Sequence, residues 1–391
     1  MLCSLLAACG QKEQTQYEVP NYQGQLAEGQ EKSDYNKNLF YRNDKKTDGA
    51  DPFVLDNTKN DGYYYQYVTQ GSLFCYRSKD LMEWEPVGNA LDNLDYAGTN
   101  KVSEVRRATW KDIWAPEVIY DPDDGRYYMF FSATPQEDNV KTGNGVAVGQ
   151  GSELLMVAVS DRPDRGFQVV NFRDAASCGA ENVHTFNATP GKKDADGNVM
   201  DAYPHYYAKY LLMDPAEYKA FASANGGFRG AARGGYEGGI DPHPYVDEDG
   251  TKYLFWVDCS MDDRLSVVKM DNWLKPDWST ATVLAYHTFY TVEDWKAARN
   301  GETVEQVSYE LTSVSINEGP AVVKHNGKYY LTFSVGSYAD SSYQVGQAVS
   351  DHIMGPYRKL TEAEGGILIS GNTSGSQEVS GTGHHSFVTV G

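Results

Sequence analysis

Apolar and polar positions alternate along this chain in short runs, and four stretches repeat one design. Each begins with an apolar run containing proline, turns at a glycine, and returns through a tyrosine-rich run. They read ADPFV…NDGYYYQYV, WAPEV…DDGRYYMFF, IDPHPYV…EDGTKYLFWV and EGPAVV…HNGKYYLTFSV. The proline-to-glycine spacing is similar throughout: Pro52 to Gly62, Pro116 to Gly125, Pro242 to Gly250 and Pro320 to Gly327. Asn, Asp and Gly tolerate positive φ, so NDG and DDG between alternating runs predict hairpins. Further strands at Leu73–Arg77 and Leu154–Ser160 lengthen the first two units. The endings SDRPDRGF and SDHIMGPY echo one another.

A repeat longer than a hairpin, with several strands per unit, predicts the blades of a β-propeller. Blade one covers about 49–90. Blade two runs from Trp114 to Ser160, blade three from Ile240 to Trp273, and blade four from Asn317 to Tyr357. A fifth inner strand is represented only by Gly381 to Val390. The expectation is an all-β fold, a five-bladed propeller with its fifth blade truncated. It carries long polar insertions at about 164–239 and 280–316, with helix candidates near Pro215–Asn225 and Val292–Arg299. Tyr63–Tyr65 and Tyr127–Tyr128 read as packing between blades.

The 29 Tyr and 38 Gly suit short strands and tight turns. All-β closed folds often exceed the usual domain length, so 391 residues with one repeat predict a single large propeller domain over 44–391. A net charge of −20 argues against nucleic acid, which needs a basic surface, and against adhesion to anionic membranes. It would not repel a neutral glycan. No run of about 20 apolar residues exists to span a bilayer. The start, MLCSLLAAC, closes on Leu6-Ala7-Ala8-Cys9 and resembles a bacterial lipobox. Residues 1–9 therefore read as a signal remnant and 10–43 as a polar tether. The expected location is the bacterial cell envelope, periplasmic or at the outer surface, with a lipid anchor if Cys9 is acylated. Cys75, Cys178 and Cys259 then remain, an odd number without metal-like spacing, so no disulfide framework is expected.

In a propeller the innermost strands run in the same sense, so all start at one mouth. The strand-start positions are Asp51, Ala115 and Asp241, with Glu318 one residue before the matching site and His384 in the fifth stretch, GTGHHSF. The chain has four Asp-Pro pairs, and most such pairs only start turns. Asp121 and Asp214 fall outside the strand starts, whereas Asp51 and Asp241 share one site in two blades. Three acids converging on one axis form a candidate cluster. Carboxylates in a concave mouth suit glycoside hydrolysis, in which one must be protonated and another ionised. A third acid nearby raises the donor's pKa by repulsion. His384 reads as a metal ligand, a partner of the acids, or a structural residue of a Gly-rich turn. No HxxxH or CxxC spacing suggests zinc. Trp114, beside a strand start, is the candidate sugar platform, and Glu117 a supporting group able to hydrogen-bond within the mouth.

Over about 49–390 the motifs GADPFV, DIWAPEV, GGIDPHPYVDEDG, NEGPAVVKHNGKYYLTF and GTGHHSF, in that order, resemble glycoside hydrolase family 43. The resemblance implies a five-bladed propeller and an inverting mechanism. By motif, Asp51 would be the general base, Asp241 the modulator that raises and orients the acid, and Glu318 the general acid. His384 would belong to a central metal site, usually calcium with waters, and no organic cofactor is implied. The implied substrate is a plant cell-wall glycan containing arabinose or xylose, cut by an α-L-arabinofuranosidase or β-xylosidase. An endo-arabinanase, a galactan-directed hydrolase and a non-catalytic glycan-binding lipoprotein are the alternatives. The fructan-cleaving relatives are disfavoured, because their WMNDPNG signature is missing.

Overall fold

The computed structural model describes residues 47–92, 110–135, 140–141, 147–148, 154–169, 239–258, 264–312, 314, 316–371 and 380–388. The chain divides into Met1–Lys45 and Lys46–Gly391, and all described residues belong to the second unit. Cys9, the 10–43 tether, the helix candidate near Pro215–Asn225, and Cys178 and Cys259 lie outside the described residues.

Four antiparallel sheets follow one another. The first holds β1 (Ala50–Asp56), β2 (Tyr64–Thr69), β3 (Phe74–Ser78) and β4 (Glu85–Asn89). The second holds β5 (Trp110–Asp121), β6 (Arg126–Pro135), β9 (Leu154–Ser160) and β10 (Gln168–Val169), and a small separate ribbon joins β7 (Val140–Lys141) to β8 (Ala147–Val148). The third holds β11 (Gly239–Val246), β12 (Lys252–Asp258), β13 (Arg264–Asn272) and β14 (Lys275–Ala285). The fourth holds β15 (Asn317–His325), β16 (Lys328–Val335), β17 (Gln344–Ser350) and β18 (Arg358–Lys359), with β19 (Ile367–Ile369) also pairing β17. The hairpin glycines take the positive φ their turns require. Asn326-Gly327, at φ 50° and 75°, closes the two-residue link between His325 and Lys328.

Second strands in a propeller are covered on both faces by neighbouring blades, which explains why they lose the polar alternation of a half-exposed strand. Between blades one and two, Tyr65, Tyr67 and Cys75 pack with Ile113, Tyr127 and Phe131. Between blades two and three, Tyr128 and Phe130 pack with Leu254, Trp256 and Trp273. Between blades three and four, Phe255 and Val257 meet Val322, Phe333 and Val335. Tyr65, Tyr127 and Tyr128 thus fill the inter-blade layers, as their placement in the repeat implied. Tyr127 also donates across a layer, its Oη to Asn57 Oδ1 at 3.0 Å.

The described residues form four blades, where the sequence predicted five. The GTGHHSF stretch carries no strand among residues 380–388. A fifth sheet needs a second strand to pair with, and the polar groups of this stretch instead bond to blade four. Thr382 donates its N–H and Oγ1 to the Tyr343 carbonyl at 3.1 and 2.9 Å, and the His384 N–H donates to Ser334 Oγ at 2.6 Å. His385 Nε2 lies 2.6 Å from Thr332 Oγ1, which itself donates to the Ala321 carbonyl. The hydroxyl must therefore accept, and the proton sits on His385 Nε2.

The second predicted insertion starts later than expected, because residues 280–285 belong to β14. Its helix candidate is present as α1 (Val292–Arg299), where Thr291 and Asp294 form a reciprocal capping box. Among the described residues no helix is long and apolar enough to cross a membrane.

Candidate active site

Every inner strand begins with a break in register: between Ala50 and Phe53, Trp114 and Glu117, Ile240 and His243, and Glu318 and Ala321. One residue inside each break is left-handed: Asp51 at φ 50°, Ala115 at 53°, Asp241 at 54° and Gly319 at 56°, and His384 at 47° repeats the conformation in the fifth stretch. Four of these precede proline, where steric clash already restricts the backbone, and three of the four carry a Cβ. A left-handed non-glycine residue costs roughly 1–3 kcal/mol, so the strain must be held by the surrounding ring. Bulges of this kind re-aim side chains, and here they bring Asp51, Asp241 and His384 together.

His384 Nδ1 lies 3.3 Å from Asp51 Oδ1 and 3.9 Å from Asp241 Oδ2. The fifth stretch thus brings one side chain to the mouth, although among the described residues it builds no blade. Burial pushes the Asp241 carboxyl up to about 6; His384 opposes this and Asp51 adds to it. Burial pulls the His384 imidazole down, but Asp51, Asp241 and Glu318 outweigh it, and the net direction is upward. Asp51 Oδ2 accepts the Thr69 hydroxyl at 2.5 Å, and Thr69 Oγ1 accepts the Ala115 N–H at 2.8 Å. Asp241 Oδ2 accepts the Gly319 N–H at 2.8 Å, so its partner amide belongs to the peptide just after Glu318.

Glu318 Oε1 accepts the Tyr343 hydroxyl at 2.7 Å. Burial first, then the Glu318 charge, hold Tyr343 far above the usual phenol range, so it is a fixed donor. Ser334 Oγ accepts the His384 N–H and Tyr343 donates to Glu318, so the fifth stretch and the acid are both held by blade four. A Cβ at Gly383 would lie 2.4 Å from the Tyr343 ring, which explains the second glycine of GTGH. On the other side, Asn317 Oδ1 accepts from Lys359 Nζ at 2.9 Å. Lys359 is fully buried with Glu310 at 2.7 Å. Burial lowers the Lys359 ammonium and Glu310 counteracts it. This buried pair pins the residue immediately before Glu318.

Two residues deeper along the inner strands, Glu117 Oε2 meets His243 Nδ1 at 2.6 Å, and His243 Nε2 accepts the Val322 N–H at 3.1 Å. An accepting Nε2 fixes the proton on Nδ1, so neutral His243 donates to Glu117 and ties blades two, three and four together. Glu117, expected as a supporting group within the mouth, is buried and engaged by His243. Trp114 is the more open residue, 38% exposed beside Ala115 and in the same register position as Glu318. His385 points into blade four rather than the mouth, and burial pushes its imidazole down to about 3.

Sequence reading brought out Asp51, Asp241, Glu318 and His384, and missed Tyr343, His243 and the hydroxyls of Thr69 and Ser334. His243 was visible as a polar residue inside the apolar run IDPHPYV. The hydroxyls recur at the ends of YVT, FFS and TFSV. Tyr343 sits among other tyrosines and carries no such mark. The side chains around His384 do not form a metal cage. Among the described residues no group of three or more His, Cys, Asp or Glu has the arrangement to hold a cation.

The family model for glycosyl hydrolases family 43 matches residues 45–168 and 222–391. An extracellular endo-alpha-(1->5)-L-arabinanase of Thermotoga petrophila is 32% identical over 175 residues, 42% of this chain and 36% of that protein. An arabinan endo-1,5-alpha-L-arabinosidase C of Emericella nidulans is 32% identical over 90 residues, 22% of this chain and 24% of that protein. The chain therefore spans little more than a third of the first relative and about a quarter of the second. The crystal structure of a thermostable family-43 glycoside hydrolase matches the fold with a TM-score of 0.50 at 22% identity, covering 86% of this chain and 78% of that one. With its family model matching both sides of the long insertion and most of the residues, the chain belongs to glycosyl hydrolase family 43.

Proposed function

We propose that this hydrolase cleaves arabinose- or xylose-containing plant polysaccharide or its oligosaccharides with inversion. Asp51 is the base, Asp241 the modulator and Glu318 the acid. The observation that carries the reading is the convergence of Asp51 and Asp241 on His384, with the Asp241 carboxylate bonded to the amide next to Glu318. Glu318 Oε1 receives the Tyr343 hydroxyl, which assigns the transferable proton to Oε2. That proton passes to the glycosidic oxygen as the bond to the anomeric carbon breaks. A water attacks the same carbon from the opposite face and gives its proton to Asp51. Asp241, ionised beside the acid, raises the acid's pKa by repulsion. Trp114 offers an apolar face on which a sugar ring stacks.

An endo-acting arabinanase is the second reading. It is favoured by the two relatives, whose names specify action on arabinan. A calcium ion at the centre belongs to the proposal only as an ion held largely by water beside His384, and no step runs through it.

The test is to follow the product anomer by NMR on arabinan, arabinoxylan and chromogenic pentosides. Inverted product, lost in Glu318→Gln, is the expected result. Retained configuration would remove the base role from Asp51, and parental activity in Glu318→Gln would refute the acid. Short oligosaccharides rather than monosaccharide from linear arabinan would select the endo reading.

A further inference from the structure

The second strand of each blade presents one residue to the left-handed residue of the next inner strand. Register identifies it: Thr69 opposite Ala50, Ser132 opposite Trp114, Val257 opposite Ile240 and Ser334 opposite Glu318. Three of the four are hydroxyls, and each accepts the N–H of the following left-handed residue. Ala115 donates to Thr69 at 2.8 Å, Asp241 to Ser132 at 3.0 Å, and His384 to Ser334 at 2.6 Å. Blade three alone breaks the pattern. Val257, fully buried, faces Val322, Phe333 and Val335 of blade four and offers no acceptor. The N–H it would have received, that of Gly319, goes directly to Asp241 Oδ2 at 2.8 Å.

We propose that Val257 is a positioning residue: by withholding a hydroxyl, it lets the Gly319 amide clasp Asp241 directly and holds that carboxylate beside the strand start carrying Glu318. Blade one displays the alternative. There Thr69 stands between the next blade's N–H and Asp51, accepting from one and donating to the other. A hydroxyl at 257 reproduces that bridge, lengthening one hydrogen bond into two and moving Asp241 away from Glu318. The inference rests on Asp241 acting as the modulator of Glu318, and it assigns the atom that keeps it there. Coulomb repulsion falls with separation, so a more distant Asp241 raises the acid less.

The experiment measures pH profiles of kcat/KM on a chromogenic pentoside for Val257→Thr, Val257→Ser and Val257→Ala. Thr matches Val in shape and Ser matches Ala in size, so each hydroxyl has a control that differs little in volume. The expected result is a basic limb lowered by about half a unit or more in Val257→Thr and Val257→Ser, with kcat down several-fold. In Val257→Ala the limb stays at the parental pH although the protein melts earlier. If Val257→Thr fails to fold, the Ser and Ala pair decides. A limb at the same pH in the hydroxyl variants and in Val257→Ala overturns the inference. Asp241→Asn, run in parallel, separates the two layers. Full activity in that variant sinks the site reading itself, whereas an inactive Asp241→Asn with unmoved limbs sinks only the role of Val257.

Discussion

Tyr343→Phe removes one buried oxygen and nothing else from the acid's surroundings. The lost contact is the 2.7 Å donation to Glu318 Oε1. A hydrogen bond to a charged group contributes about 1.5–3 kcal/mol and one to a neutral group about 0.5–1.5 kcal/mol, so the hydroxyl favours the ionised acid by roughly 1–1.5 kcal/mol. At 1.36 kcal/mol per unit, its removal raises the acid's pKa by about one unit. The basic limb of kcat/KM therefore moves to higher pH, the opposite direction to the Val257 hydroxyl variants. Below that limb the rate falls by roughly twofold, because both Glu318 oxygens become equivalent and half the proton placements face away from the substrate. Stability also drops by about 1–3 kcal/mol, since the Glu318 carboxyl loses the Tyr343 donor. Steady-state kinetics between pH 4 and 9, with thermal melts of the same samples, decide the matter. A basic limb at the parental pH in Tyr343→Phe would refute the argument that this hydroxyl reads the charge of Glu318.

Three further outcomes follow from the same geometry. Asp241 is held at about 6 when folded, above its unfolded value near 4, so the unfolded chain releases this proton first and the native state loses stability as pH rises from 4 to 6. Asp241→Asn should melt higher than the parent above pH 6 by on the order of 1–3 kcal/mol, converge with it near pH 4, and lose activity; equal melting curves at pH 7 would contradict the burial penalty. Lys359→Met leaves the fully buried Glu310 without its cation and should destabilise by about 3–5 kcal/mol, most of it recovered in Lys359→Met with Glu310→Gln, as read by denaturant unfolding. Gly383→Ala places a Cβ 2.4 Å from the Tyr343 ring, displacing the stretch that carries His384; kcat/KM should fall about 100-fold while the far-ultraviolet circular dichroism is unchanged, and wild-type kinetics would show the stretch has room to move.

The repeat itself was legible in one dimension. Proline, turn glycine and aromatic return recur at similar spacing, and that is enough to set blade order, hairpin positions and the shared place of Asp51 and Asp241 in two blades. The α1 boundaries could be read as well, because a capping box and a polar helical run are local features. Blade number was not. Whether GTGHHSF founds a sheet or leans on blade four depends on which partner its backbone groups find, and that partner, Tyr343, Ser334 and Thr332, is distant in sequence. The same holds for the site. Residue type and repeat position marked the acids and His384, but the left-handed turn that aims them is held by hydrogen bonds from neighbouring blades. The direct bond from Gly319 to Asp241 likewise exists because a valine, not a hydroxyl, faces it from the neighbouring blade. Local chemistry along the chain determined the strands and named the acids. Long-range packing decided which hydrogen bonds each acid receives, because a donor's choice of acceptor is settled only when distant strands stand side by side.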